Sequence, residues 1–305
     1  MVTIMGIRMK TAYIASMIIC LGIFLFSVTM ISFYQRDIEV NEKENEEVIR
    51  YVMQDDGKAE QEADEKAEQE ADEKAEQKSN GKARQKTDGK DEEEDNGKPG
   101  QAAGAGTDRV QIDFGKLQEF NPDAVGWILF NHQCVNYPLV QTGDNAYYLD
   151  HSFRREKNTA GCIFMDCRNQ SFADQNVVIY GHSMLNRTMF GSLKDVFGED
   201  FWEEADQDMI LIAGTDHYLR KYEIFSYYVV EEEDYYITTS FPDEDNYAEF
   251  LDVIQARSFR ELDTTACTDD NILTLSTCAG PSGTGKRRVV HAKLVEITPL
   301  SCSGL

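Results

Sequence analysis

The sequence predicts a mainly β fold, a closed barrel of eight mixed strands with a few peripheral helices, preceded by a transmembrane helix and a disordered charged linker. Three observations predict it. Short apolar, β-branched runs recur eight times beyond residue 120, separated by Gly, Asn, Asp and Pro. Helical spacing appears in only three stretches of that region, so alternating βαβ units and a doubly wound sheet are disfavoured. The N-terminal third holds one long apolar run and then almost no large apolar side chain after Met53.

Residues 12–34 (AYIASMIICLGIFLFSVTMISFY) carry no charge. At 1.5 Å per residue about 20 such residues cross the hydrocarbon core of a bilayer. Arg8 and Lys10 precede the run and the chain turns acidic beyond Arg36. The positive-inside rule then places residues 1–11 in the cytoplasm and everything after the anchor outside the cell. A cleaved signal peptide would have a shorter apolar stretch ending in a small-x-small site.

Residues 35–106 read as a charged spacer. Positions 58–97 are an octapeptide repeat, KAEQEADE twice and then KAEQKSNG, KARQKTDG and KDEEEDNG. Between Asp37 and Lys98 there are 23 acidic and 11 basic residues. Such a segment buries too little apolar surface to offset its ordering entropy. The Pro/Gly/Ala stretch 99–106 marks a joint, and residues 107–305 form the folded domain, long enough for one core.

Within that domain the expected strands are 126–130, 137–141, 161–165, 176–181, 209–214, 222–230, 271–277 and 289–297. Helical spacing occupies 113–120, 187–197 and 243–257, the last with Phe250, Leu251 and Ile254 on one face behind an acidic first turn.

Composition narrows the function. A net charge of −25 argues against nucleic-acid binding, which rewards clustered Lys and Arg. Seven cysteines, odd in number and without a CxxC pair, make neither a disulfide framework nor a structural zinc site. No cofactor or metal is expected, and at least one thiol should be free.

Cys278 ends the run NILTLST and precedes the Gly-rich AGPSGTGK, which suits an accessible thiol. A free Cys is more often a small buried hydrophobe, and Cys134 and Cys162 fit that description. His182 follows the run NVVIY, where an imidazole could trade protons with a thiol near neutral pH. Among the other histidines, His132 and His151 fall in polar loops, His217 in a turn and His291 inside the last strand. Arg287 opens that strand nine residues after Cys278, so a hairpin sets the two side by side. A guanidinium there could hold an oxyanion. Strand alternation puts Arg288 on the opposite face, pointing to solvent.

Together the segments TLSTC (274–278), RRVVHAKL (287–294), YGHSM (180–184) and NPDAVGWILF (121–130) resemble the sortases. NYPLVQTGDNAYYLDHSF (136–153), AGCIFMDCRN (160–169) and the helical stretch 243–257 are similar to class B of that family. The likeness extends over about residues 112–298. It implies an eight-stranded sortase barrel and a cysteine transpeptidase. Cys278 would attack the Thr carbonyl of a C-terminal sorting motif of Asn-Pro-x-Thr type, His182 would protonate the leaving amine, and Arg287 would steady the oxyanion. The resulting acyl-enzyme would pass to an amine of a peptidoglycan precursor. Arg287 takes the family's Arg position because that residue stands four before the position of His291. The resemblance also implies a substrate groove lined by Asn145, Leu149, Tyr236, Ile237 and Ser276. Its implied partners are sorting-signal-bearing surface proteins and the precursor amine, on lipid II or a cross-bridge. Ala279 departs from relatives that often carry an acidic residue there, and Cys162 and Cys167 are additions.

Three rivals remain beside this reading, the first a non-enzymatic, wall-anchored binding module in which Cys278 is incidental. A pilin-polymerising sortase would share the same residues. An L,D-transpeptidase would place its Arg two residues after the Cys, where this sequence has Gly280.

Overall fold

The computed structural model describes residues 2–52, 112–130, 134–203, 209–231, 235–279 and 285–300. The octapeptide repeat, the 99–106 joint, His132 and most of the loop after Cys278 lie outside the described residues.

Eight strands run β1 (Ala124–Phe130), β2 (Val135–Val140), β3 (Ile163–Met165), β4 (Asn176–Tyr180), β5 (Met209–Gly214), β6 (Tyr218–Glu231), β7 (Ile272–Cys278) and β8 (Lys286–Pro299). They close into a barrel in the order β1-β2-β3-β4-β7-β8-β6-β5. The β2–β3 and β4–β7 pairs are parallel, and every other neighbour is antiparallel. Closure removes sheet edges and turns one face of each strand into a shared interior. Ile128, Leu139, Ile163, Ile179, Ile212, Leu275 and Val290 fill it, all with no measurable exposure. Trp127 is equally buried, its indole N–H donating to the Asn136 side chain at 2.7 Å.

All eight expected strands are present. β6 and β8 are longer than their apolar cores, because Tyr218 to Glu231 pairs with Lys286 to Pro299 along the full length. The helix α2 (Phe114–Phe120) is capped by Asp113, whose carboxylate accepts from the Lys116 N–H. The helix α3 (Glu244–Ala256) is capped in the same way by Asp243 and buries Tyr247, Phe250, Leu251 and Ile254. The stretch 187–197 differs from an α-helix. Arg187 and Met189 have φ of 73° and 53°, and the chain then winds as a 3-10 helix over Phe190–Phe197. Two left-handed residues break the helical hydrogen-bond ladder before it can start.

The helix α1 (Val2–Val52) continues well past the apolar run. Residues 35–52, the start of the segment expected to be a spacer, belong to this helix. Val48 and Val52 are buried, and Tyr34 and Ile38 pack against the barrel core. Positions 34, 38, 41, 45, 48 and 52 form a stripe at helical spacing that the surrounding charge conceals.

Candidate active site

The parallel β4–β7 pairing builds the site. Tyr180 lies opposite Ser276, and the Gly181 N–H donates to the Ser276 carbonyl at 3.3 Å. Two residues beyond that register, His182 and Cys278 leave adjacent strand ends. On the other side of β7, Cys278 pairs with Arg287 across the antiparallel β7–β8 ladder. An Arg287 Nη1 donates to Cys278 Sγ at 3.5 Å. Three neighbouring strand ends thus present a thiol, an imidazole and a guanidinium to one groove of about 280 Å³.

The imidazole is held from the β2–β3 connection. His182 Nε2 donates to the Leu149 carbonyl at 2.6 Å. A carbonyl can only accept, so this bond places the proton on Nε2 and leaves Nδ1 to gain or lose one. Leu149 closes a 3-10 turn, Tyr147–Leu149, whose preceding Asp144 carboxylate accepts from the Ala146 and Tyr147 N–H groups. Gly161, with φ of 62°, lets the returning chain pass beneath it. A Cβ there would meet the Tyr148 and Leu149 carbonyl oxygens at 2.5 and 2.9 Å and His182 Cδ2 at 3.1 Å.

Asn145, Leu149, Tyr236, Ile237 and Ser276 line this groove. The Tyr236 hydroxyl and Ser276 Oγ are 3.1 Å apart and buried. Asn145 spends one donor on Asp166 Oδ2 (3.0 Å), and its Oδ1 accepts from the Cys167 N–H (2.7 Å). One donor and one lone pair of that amide remain.

Sequence reasoning missed the groove's underside. Asp166 has a side chain with no exposure, and it joins three parts of the wall. It accepts from Asn145, from the Tyr180 hydroxyl at 2.7 Å and from Arg168 through Nε and Nη2 at 2.9 and 2.7 Å. Arg168 also donates to the Ile237 carbonyl at 2.8 Å. Burial works to raise the Asp166 pKa, but the bonds from Arg168 and Tyr180 outweigh it and hold the carboxyl below the usual range. Tyr180 is pushed up by burial and by its bond to Asp166. The available signal was an Asp set directly after the apolar IFM run with an Arg two residues on. Phe164 and Thr277, also on the groove wall, gave none.

One further residue is placed differently from its outward reading. Arg288 does not point to solvent. Its guanidinium lies 5.4 Å from the Phe197 ring centroid, half-buried, and burial lowers its pKa. Arg288 shares the inward face of β8 with Val290, and the 3-10 helix covers that end of the barrel interior. His291 is fully buried, between Tyr228 and Thr274. Among the other cysteines, Cys162 is buried and its thiol is pushed up by desolvation and by Glu44, which keeps it protonated.

Comparison with known proteins decides the family. A model of the sortase domain matches residues 132–295. The chain belongs to the sortase family. Sortase B of Staphylococcus aureus is 36% identical over 195 residues, covering 63% of this chain and 78% of that protein. A Staphylococcus aureus sortase B–substrate complex superposes with a TM-score of 0.56 at 36% identity, over 60% of this chain and 84% of the other. A sortase B complexed with triglycine gives 0.56 at 36% identity, over 62% and 86%. The chain is thus a sortase of class B type, a cysteine transpeptidase on the barrel described above.

Proposed function

We propose that this sortase is a membrane-anchored enzyme that cleaves a C-terminal sorting motif of Asn-Pro-x-Thr type after Thr and joins the new end to an amine of a peptidoglycan precursor. The observation that carries the reading is the convergence of His182, Cys278 and Arg287 from three adjacent strand ends on one groove.

As the thiol proton passes to His182 Nδ1, the Cys278 sulfur attacks the Thr carbonyl carbon, a C–S bond forms, and the carbonyl electron pair moves to oxygen. Arg287, within reach of Cys278 Sγ, is placed to donate to that oxyanion. Collapse breaks the C–N bond as the imidazolium of His182 gives its Nδ1 proton to the leaving amine. The thioester is then attacked by the acceptor amine, which gives a proton to Nδ1, and the departing Cys278 sulfur takes that proton up. Asn145, Leu149, Tyr236, Ile237 and Ser276 provide a wall that is apolar at Leu149 and Ile237 and polar at Asn145, suited to an extended peptide. Binding of a substrate and of triglycine by the related sortases supports a peptide donor and a glycine-like amine acceptor.

Anchoring is supported by the one helix among the described residues that is long and apolar enough to cross a membrane, its window having a mean hydropathy of 2.3 and none of it buried. Arg8 and Lys10 favour a cytoplasmic N-terminus.

The test is a panel of sorting peptides offered to the detergent-solubilised full chain with a triglycine acceptor. Cleavage and transfer with Asn-Pro-x-Thr peptides, lost in Cys278→Ala, is the expected result. Preference for another motif would overturn the specificity, and transfer by Cys278→Ala would overturn the mechanism.

A further inference from the structure

The outward half of α1 is bonded to the barrel along its whole length. The Asp37 carboxylate accepts from the Thr159 N–H at 3.1 Å, and the Asp37 carbonyl from Asn158 at 2.9 Å. Further along, Asn41 donates to the Gly161 carbonyl (3.1 Å) and Asn45 to the Asn136 carbonyl (3.1 Å). Glu42 accepts from Asn186, and Glu47 pairs with Arg154 at 2.9 Å. Glu44, 6% exposed, accepts from the Arg154 N–H. At the far end Tyr51 meets the Phe120 ring edge-on at 5.0 Å, and the Val52 carbonyl accepts from the Asp113 N–H.

These contacts fix both the exit of the chain and the height of the groove. The chain leaves the folded unit at Val52 and re-enters it at Asp113, within hydrogen-bond distance, so the 60 residues between them join two points already fixed together. The apolar run ends at Tyr34, which itself packs on the barrel. Asn41 is seven residues further, about 10 Å along the axis. The Gly161 it bonds lies beside His182, since a Cβ on that glycine would come within 3.1 Å of the ring Cδ2.

We propose that α1 is a continuous strut that holds the barrel against the outer surface of the lipid bilayer, with the His182 side of the groove just above the headgroups, and that the acidic segment between Val52 and Asp113 does not set this height. The proposal rests on the reading of α1 as a membrane anchor. A flexible tether of 60 residues would instead let the groove range over about 40 Å.

The experiment uses the full chain in vesicles of phosphatidylethanolamine and phosphatidylglycerol doped with a nitroxide-headgroup lipid. A fluorophore is attached through p-azidophenylalanine at position 185, where the native Leu185 is 87% exposed and neighbours the Glu42–Asn186 bond. Three proteins are compared: the otherwise unaltered chain, a deletion of 54–111 rejoined through a short Gly-Ser link, and the undocked double variant Asn41→Ala, Val48→Asp. The expected result is roughly halved fluorescence in the first two and little quenching in the third. Peptide cleavage by the third in detergent shows that its barrel is folded. Weak quenching of the unaltered chain, or a change on deletion, overturns the strut while the protein stays in the membrane. Release of the protein by alkaline carbonate overturns the anchor reading instead.

Discussion

Arg287 and Arg288 show how one strand register divides two identical side chains. Arg287 faces the groove with Nη1 on Cys278 Sγ. Arg288 lies over Phe197 with its Nε buried and lacking an acceptor. An oxyanion donor acts in the transition state, so Arg287→Ala should lower turnover about 10²–10³-fold with little change in peptide binding. Arg288→Ala should stay within a few-fold of the normal rate. Its effect should appear in melting temperature, because it removes a stacked cation from a packed surface. Steady-state cleavage and thermal unfolding of both variants check this. A crippled Arg288→Ala beside a near-normal Arg287→Ala would mean that the functional register is displaced by one residue. The sequence predicted the division of faces correctly. It missed that the face taken by Arg288 is the inward one and is covered, since alternation says which side a residue takes and not what packs there.

At the scale of elements, the connection between β2 and β3 decides whether His182 is held. Gly161 permits the left-handed turn that brings Leu149 under the ring. In Gly161→Ala the left-handed backbone alone costs about 1–2 kcal/mol. The added methyl must also displace the Leu149 carbonyl, the acceptor of His182 Nε2. We expect a lower melting temperature and at least a tenfold fall in kcat/KM, measured on one preparation. A destabilised variant with normal kcat/KM would show that the Leu149 bond does not position the imidazole. The strands themselves were legible, because apolar β-branched runs between turn residues report burial directly. The docked end of α1 was not. Its stripe from Tyr34 to Val52 is interleaved with Glu42, Glu44, Glu46 and Glu47, and several of its contacts are polar bonds to backbone groups 91 to 122 residues away.

For the molecule as a whole, His291 sets an acid limit to stability. Desolvation, helped by the charge of Arg257, lowers its pKa to about 3, against an ordinary value of 6.5. Below pH 6.5 the unfolded chain therefore binds a proton that the folded barrel refuses, and stability falls as pH drops from there towards 3. At pH 5 the loss is on the order of 2 kcal/mol. Melting temperatures from pH 8 to pH 5 should decline less steeply in His291→Gln than in the unaltered protein, each taken relative to its value at pH 8. Equal slopes would show that this imidazole does not govern the acid limb.

The β-rich class, the eight strands, the long apolar N-terminal helix and the placing of Cys278 beside Arg287 could all be read from the order of residues alone. All of these are local, since nine residues and one turn suffice to bring two strand ends together. It took the folded barrel to establish that β4 pairs in parallel with β7, which brings His182 to Cys278 across 96 residues of chain. The same holds for Asp166, which ties Asn145, Tyr180 and Arg168 beneath the groove, and for the docking of α1 on the barrel. Such pairings are chosen by which arrangement buries the whole core at once, because the loop-closure entropy they cost is recovered only when the barrel closes.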